Sequence, residues 1–300
     1  MNAWAASPSD EMMAIAPPIK VAEGILLFPG TPGPAAVENG ARQANIALVS
    51  GPQGALAWNA GVTHRHGQTM LQAMLETLDV PVRGVVISHA YQDVLFGWSA
   101  FREVGIDVVM HKGTEQLMHQ RCQGCLDRLT ELLGPSQLIG TQLAEPNQII
   151  SGPMTISSIG RKLDLLDEPH GAGPSDLMMF DKQTGTLFSG AAVFTNRVGS
   201  IQDGRLNKWI SMLESVAELP IKHIVPDYGS IGNAESIQTT LRYLRGLEAT
   251  VGGLLKRGIT LADAADNAAM PEFSAYGGYD EHHSRNVHHL YLRMESRFFE

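Results

Sequence analysis

Two apolar runs bracket a helical one between residues 82 and 111, and this alternation limits the fold more than any other feature of the chain. "RGVVISH" (83–89) reads as a buried strand, "VLFGWSAFREVG" (94–105) as a helix and "DVVMH" (107–111) as the next strand. A strand–helix–strand order of this kind belongs to the α/β class. Upstream, "GILLFPG" (24–30) is a strand stopped by Pro-Gly, and a Gly/Pro-rich loop follows it. "NIALVSGPQGALAWNAG" (45–61) gives two strands around a tight turn between Gly51 and Gly54. Met70, Leu71, Met74, Leu75 and Leu78 repeat at helical spacing and predict a helix over 66–79.

A long helix is expected at about 114–133, after which the pattern changes. "NQIISGPMTISSIGRKLDLLDEPH" and "DLMMFDKQTGTLFSGAAVF" read as consecutive strands, with a turn at Gly185. A helix over 204–218, a strand in "IKHIVPDYG" and helices over 234–256, 259–268 and 281–298 complete the chain. The expected architecture is two sheets packed face to face with helices outside, a four-layer αβ/βα sandwich. It forms one domain over 19–300, with a helical insertion at about 113–135 and a helical C-terminal tail from about 234 to 300. Residues 1–18 are small, polar and Pro-containing, and read as a loose arm.

With 300 residues, the chain is long enough for one large or two ordinary domains, and its 44% hydrophobic content supports a sizeable core. A net charge of −9 argues against nucleic acid and against an anionic membrane surface as partners. It favours a small-molecule ligand or substrate, or a protein partner. Two cysteines make no disulfide framework. No apolar run approaches the roughly 20 residues of a membrane span. The N-terminal stretch lacks a basic region followed by an apolar one, so a cytoplasmic location is expected. The sequence leaves oligomeric state open.

Four loops follow strand ends: "WNAG" (58–61), "SHAYQDV" (88–94), "EPH" (168–170) with "SGAA" (189–192), and "PDYG" (226–229). Together they resemble the metallo-β-lactamase superfamily, over about residues 20–299. The stretches "PVRGVVISH", "FGWSAFREVGIDVVMH", "TGTLFSGAAVF", "GRLNKWISMLESVAELPIKHIVPDYG", "RYLRGLEATV" and "HHSRNVHHLYLRMES" resemble its branch of quinoprotein-associated zinc metallohydrolases. The resemblance implies that each loop brings metal ligands to one edge of the sandwich. The family pattern is Asp-Thr-Gly, then His-x-His-x-Asp-His, a further His before a polar turn, Gly-Asp, and Gly-His-Gly.

This chain departs from that pattern at most ligand positions. His89 stands at the first histidine and Asp93 at the aspartate, but Tyr91 and Val94 replace the other two histidines. His170 matches the next ligand, ahead of a turn, "GAGPSDL", that is longer than usual. Ala191 replaces the bridging aspartate, Tyr228 the last histidine, and Asn59 the Asp of Asp-Thr-Gly. A catalytic zinc typically needs three protein ligands and an open position. His89 and His170 supply two nitrogens, and a neutral phenol is a poor third ligand. A two-metal clamp is not expected.

Three readings follow. In the first, the fold persists without the metal, and the protein binds a ligand or serves a partner near a redox or catabolic pathway. In the second, a single zinc or iron ion held by His89, His170 and either Asp93 or Tyr91 supports hydrolysis of a small ester, lactone or amide. Tyr91 or Tyr228 would then donate to an oxyanion. In the third, His170 is a general base and a tyrosine the acid, without metal. Tyr91 and Tyr228 also have a plainer reading as plugs of the former metal cavity.

Elsewhere, "HQRCQGC" puts His119, Cys122 and Cys125 on one broad helix face, read as packed thiols rather than a redox pair or half a zinc site. His64 and His66 in "THRHG" read as part of a solvated loop leading into a helix, with substitute ligands as the alternative. The histidines at 282, 283, 288 and 289 read as structural, as do His111 and His223. Trp58, Trp98 and Trp209 read as core.

Overall fold

A computed structural model describes residues 15–168 and 171–298. Seven strands form the first sheet, in sequential order: β1 (Ile19–Ala22), β2 (Ile25–Phe28), β3 (Ile46–Gly51), β4 (Gly54–Trp58), β5 (Val82–Ile87), β6 (Asp107–His111) and β7 (Gln148–Ile150). The first four are antiparallel neighbours, whereas β4 through β7 run parallel. The second sheet has the order β12-β11-β10-β9-β8, from β8 (Met154–Ile156), β9 (Leu163–Glu168), β10 (Asp176–Asp181), β11 (Thr186–Gly190) and β12 (His223–Pro226). Only β11 and β12 are parallel there.

The period-two pattern of the strands explains the layering. On β5, Val86 enters a core shared with the second sheet, while Val85 and Ile87 turn to the outer helices. On β10, Leu177 and Met179 face the first sheet, and Met178 and Phe180 face away from it. Both faces of both sheets are therefore apolar, and each needs a cover. Helices α1 (His64–Thr77), α3 (Trp98–Glu103) and α4 (Lys112–Leu133) cover the first sheet through Met70, Met74, Phe101 and Met118. Helices α5 (Leu206–Val216), α6 (Ala234–Lys256) and α8 (Tyr279–Phe298) cover the second through Trp209, Leu241, Leu244 and Leu290. The result is the expected four-layer αβ/βα sandwich, with a helical C-terminal tail.

Three local expectations change. The stretch 94–105 is two short helices, α2 (Gln92–Leu95) and α3, not one. Gly97 interrupts it because its backbone N–H donates to Gly61 O at 2.8 Å, which ties the chain to the loop after β4. Within 259–268, the helix α7 covers only Leu261–Ala264. His64 and His66 are not solvated: both are buried in the first two turns of α1. His64 Nδ1 bonds Ser99 Oγ at 2.8 Å, and His66 Nδ1 accepts from Val62 N–H. Burial, assisted by the Arg42 charge, pushes the His66 pKa down to about 3, so the ring stays neutral. No helix among the described residues is long and apolar enough to cross a membrane.

Candidate functional site

Parallel neighbours end on the same edge, so the loops after β4 and β5 emerge side by side. The second sheet brings the ends of β11 and β12 to meet them. Leu177 N–H donates to Ser88 O at 2.9 Å, and Asp227 N–H donates to Gly190 O at 2.9 Å. Gly190 has φ +57°, and a Cβ there would lie 3.2 Å from Leu177 O. A glycine thus allows the turn where the two sheets approach. Asn59 adopts φ +68°, a conformation Asn tolerates, and its Oδ1 accepts from Ser88 N–H at 3.1 Å.

His89 is buried at this junction and is 3% exposed. Ser88 Oγ donates to Asp227 Oδ2 at 2.6 Å and lies 2.7 Å from His89 Nδ1. The serine proton is committed to the carboxylate, so Nδ1 carries the donor hydrogen. His89 Nδ1 also pairs directly with Asp227 Oδ2 at 3.1 Å, and Trp58 Nε1 donates to Asp227 Oδ1 at 2.8 Å. Burial opposes a charged imidazole. The Asp227 hydrogen bond and the carboxylates of Asp227, Asp176 and Asp93 outweigh it and raise the His89 pKa. Asp227 is fully buried within this network and does not line the cavity above it.

That cavity, of about 360 Å³, is floored by Tyr91, Asp93, Ala191 and Tyr228. The Tyr228 hydroxyl donates to Asp93 Oδ1 at 2.9 Å. The Tyr91 ring packs edge-on against His89, with centroids 4.4 Å apart, and the Tyr228 ring lies 6.3 Å from it. The two tyrosines thus line an open cavity and also separate His89 from it. Burial holds the Tyr91 and Tyr228 hydroxyls well above the ordinary phenol pKa, and nearby carboxylates add to the effect. Both phenols are neutral near pH 7. Burial likewise raises the carboxyl pKa of Asp93, against the pull of His89 and the Tyr228 hydrogen bond. Val193 and Phe194 make the wall apolar, and Arg128 and Arg197 add positive charge. The Arg197 guanidinium lies 5.6 Å from the centre of the Tyr228 ring.

Of the candidate site residues, His89, Tyr91, Asp93 and Tyr228 come together, and His170 lies outside the described residues. Among the described residues, no group of three or more His, Cys, Asp or Glu side chains is arranged to hold a metal ion. Among the described residues, three buried polar atoms at the strand ends have no hydrogen-bond partner: Asn59 Nδ2, His89 Nε2 and Ser189 Oγ. The sequence reading missed the roles of Ser88, Trp58, Asp227, Arg128 and Arg197. Asp227 beside Tyr228 was the one visible signal, as an acid at the end of an apolar strand.

No family model matches the chain, and no curated protein matches it by sequence. Solved structures do match. A metallo-β-lactamase from Pontibacter korlensis superposes with TM-score 0.63 at 19% identity, covering 77% of this chain and 99% of the other. One from Hirschia baltica gives 0.60 at 17% identity, covering 77% and 97%. FIM-1 from Pseudomonas aeruginosa, in its mono-zinc form, gives 0.61 at 17% identity, covering 77% and 95%. The chain therefore has the metallo-β-lactamase fold.

Proposed function

We propose that this chain uses the metallo-β-lactamase fold without two-metal hydrolysis, as a binding or accessory protein whose cavity takes a small molecule. The Tyr228–Asp93 hydrogen bond carries this reading. A hydrolytic metal edge needs its carboxylates free for ions. Here the one carboxylate of the His89 loop is engaged by a phenol, and a second phenol, Tyr91, packs on His89. The donors described do not fit a dinuclear centre, so no catalytic step is assigned to one. Resemblance to the quinoprotein-associated branch supports a protein partner with redox or catabolic chemistry.

A second reading keeps one zinc or iron ion and a small ester, lactone or amide as substrate. The partnerless, buried Nε2 of His89 favours it, because a buried ring nitrogen normally has a partner. Metal content decides between the two. Untagged protein, assayed by mass spectrometry before and after a weak chelator, is expected to hold no stoichiometric zinc, iron or manganese. About one ion per chain, lost in His89→Ala, would overturn the binding-protein reading and establish the mononuclear one.

A further inference from the structure

Cys122 and Cys125 lie one turn apart on α4, in different surroundings. Cys122 is buried, and its thiol donates to the Ala90 carbonyl at 3.5 Å, between His89 and Tyr91 in the chain. Cys125 is half-buried and lines the cavity. Arg128 Nη2 donates to the Cys125 sulfur at 3.5 Å, and Arg128 forms no ion pair with a carboxylate among the described residues. Gly124 lies between the cysteines, and a Cβ there would meet only Arg128 Nη1, at 3.7 Å.

A cation at one sulfur, a second sulfur one turn away and a cavity that admits small molecules are what thiol–disulfide exchange requires. We propose that Cys125 is a reactive thiol that attacks low-molecular-weight disulfides entering the cavity, and that Cys122 resolves the adduct. The Cys125 thiolate attacks one sulfur of R–S–S–R. That S–S bond breaks, a Cys125–S–S–R bond forms, and RS⁻ leaves. Cys122 gives up its proton and attacks Cys125 Sγ, which expels the second RS⁻. Two protein thiols are oxidised to one disulfide, the small disulfide is reduced to two thiols, and the two cysteine protons end on them.

The helix resists this closure slightly. Cβ atoms three residues apart on a helix sit about 5–6 Å apart, and a disulfide needs about 3.5–4.5 Å. The turn must therefore tighten by about 1 Å, and Gly124 is the residue best able to yield. Closure also removes the Cys122 hydrogen from Ala90 O, so the oxidation state reaches the segment that positions Tyr91. Electrostatics agree with the division of labour. The Cys122 thiol lowers the Cys125 pKa, burial opposes it and Arg128 adds to it, leaving Cys125 at about 7, whereas Cys122 is pushed up. The other charged or titratable groups nearby are Arg121, paired with Asp203 at 2.6 Å, and Tyr91, Asp93, Arg197, Tyr228, Glu281 and His282 around the cavity.

The test uses 4,4′-dithiodipyridine on the full chain, with released pyridinethione read by absorbance and the product by mass. Wild-type protein is expected to release two equivalents and end about 2 Da lighter, as an internal disulfide. Cys122→Ser is expected to release one and retain a mixed disulfide on Cys125. The first equivalent should show a pH midpoint near 7. At pH 6 it should form about sixfold faster than from the denatured chain, since a larger thiolate fraction outweighs lower nucleophilicity. Arg128→Gln should move the midpoint up. Wild-type protein that keeps pyridylthio adducts, or whose first equivalent follows an ordinary thiol midpoint near pH 8.5, overturns the proposal.

Discussion

Asp227→Ala should be the most damaging single truncation at the strand-end junction. The carboxylate is 0% exposed, accepts from Trp58 Nε1 and Ser88 Oγ, and pairs with His89 Nδ1. Truncation strands two neutral donors, each at a cost of about 1–3 kcal/mol when buried without a partner. It also removes the main group that raises the His89 pKa. These costs belong to one network and are not additive. Removing one member of a buried pair costs about 3–5 kcal/mol, so the loss should be close to about 4 kcal/mol. For a urea slope of about 3 kcal/mol/M, the unfolding midpoint should fall by more than about 1 M.

Asp227→Asn separates charge from shape. Its Oδ1 still accepts from Trp58, while its Nδ2 turns a donor towards Ser88, whose hydroxyl can then donate to a neutral His89. The expected cost is about 1–2 kcal/mol, and it depends on pH. The folded-state pKa of His89 is raised. Its contribution is therefore fully present below the unfolded value of about 6.5 and is lost as pH climbs through the folded value. The gap between wild type and Asp227→Asn should be widest near pH 5.5 and should narrow at higher pH. An alanine variant that loses less than about 1 kcal/mol, or a gap that widens with pH, would refute the network argument.

Asp93→Asn should stabilise the protein at neutral pH, because burial disfavours the carboxylate and an amide oxygen still accepts from Tyr228. The folded pKa is raised, so the penalty is absent below the unfolded value of about 3.9 and grows above it; the gain in thermal midpoint should vanish as pH falls towards 3.5. Gly97→Ala should destabilise by about 1–3 kcal/mol or more, since its Cβ would sit 2.0 Å from Ala60 O and 3.0 Å from Gly67 Cα. Urea midpoints and near-ultraviolet circular dichroism measure that loss, and a neutral result would mean that α1 and α3 can part without cost.

The layering was legible in the sequence because it rests on local periodicity. Alternation in Val85, Val86 and Ile87, or in Leu177, Met178 and Met179, states that both faces of a strand are buried, and two such sheets with outer helices leave few arrangements. The break at Gly97 was not legible. It depends on how closely the loop after β4 approaches, and nothing in "VLFGWSAFREVG" reports where Ala60 and Gly61 lie. His64 and His66 misled for a related reason. A polar, His-rich start of a helix reads as solvated unless Ser99 and the Val62 backbone are known to meet the rings.

The site was legible as a set of loop positions but not as a network. His89, Tyr91, Asp93 and Tyr228 were named from their loops, and the fold assembles them. What the sequence could not show is that the ring of His89 remains oriented as a metal-binding histidine would be. Such a ring presents one nitrogen to the ion and gives the other to a carboxylate. Asp227 and Ser88 hold Nδ1 in that way, while Nε2 has no partner among the described residues. Ser88 and Asp227 are 139 residues apart, so neither loop alone implies the contact. The orientation persists because the same contacts also satisfy Trp58 and tie the ends of the two sheets together. Structural demand alone is therefore enough to preserve His89 and its carboxylate, and their survival says less about catalysis than the Tyr228–Asp93 bond beside them.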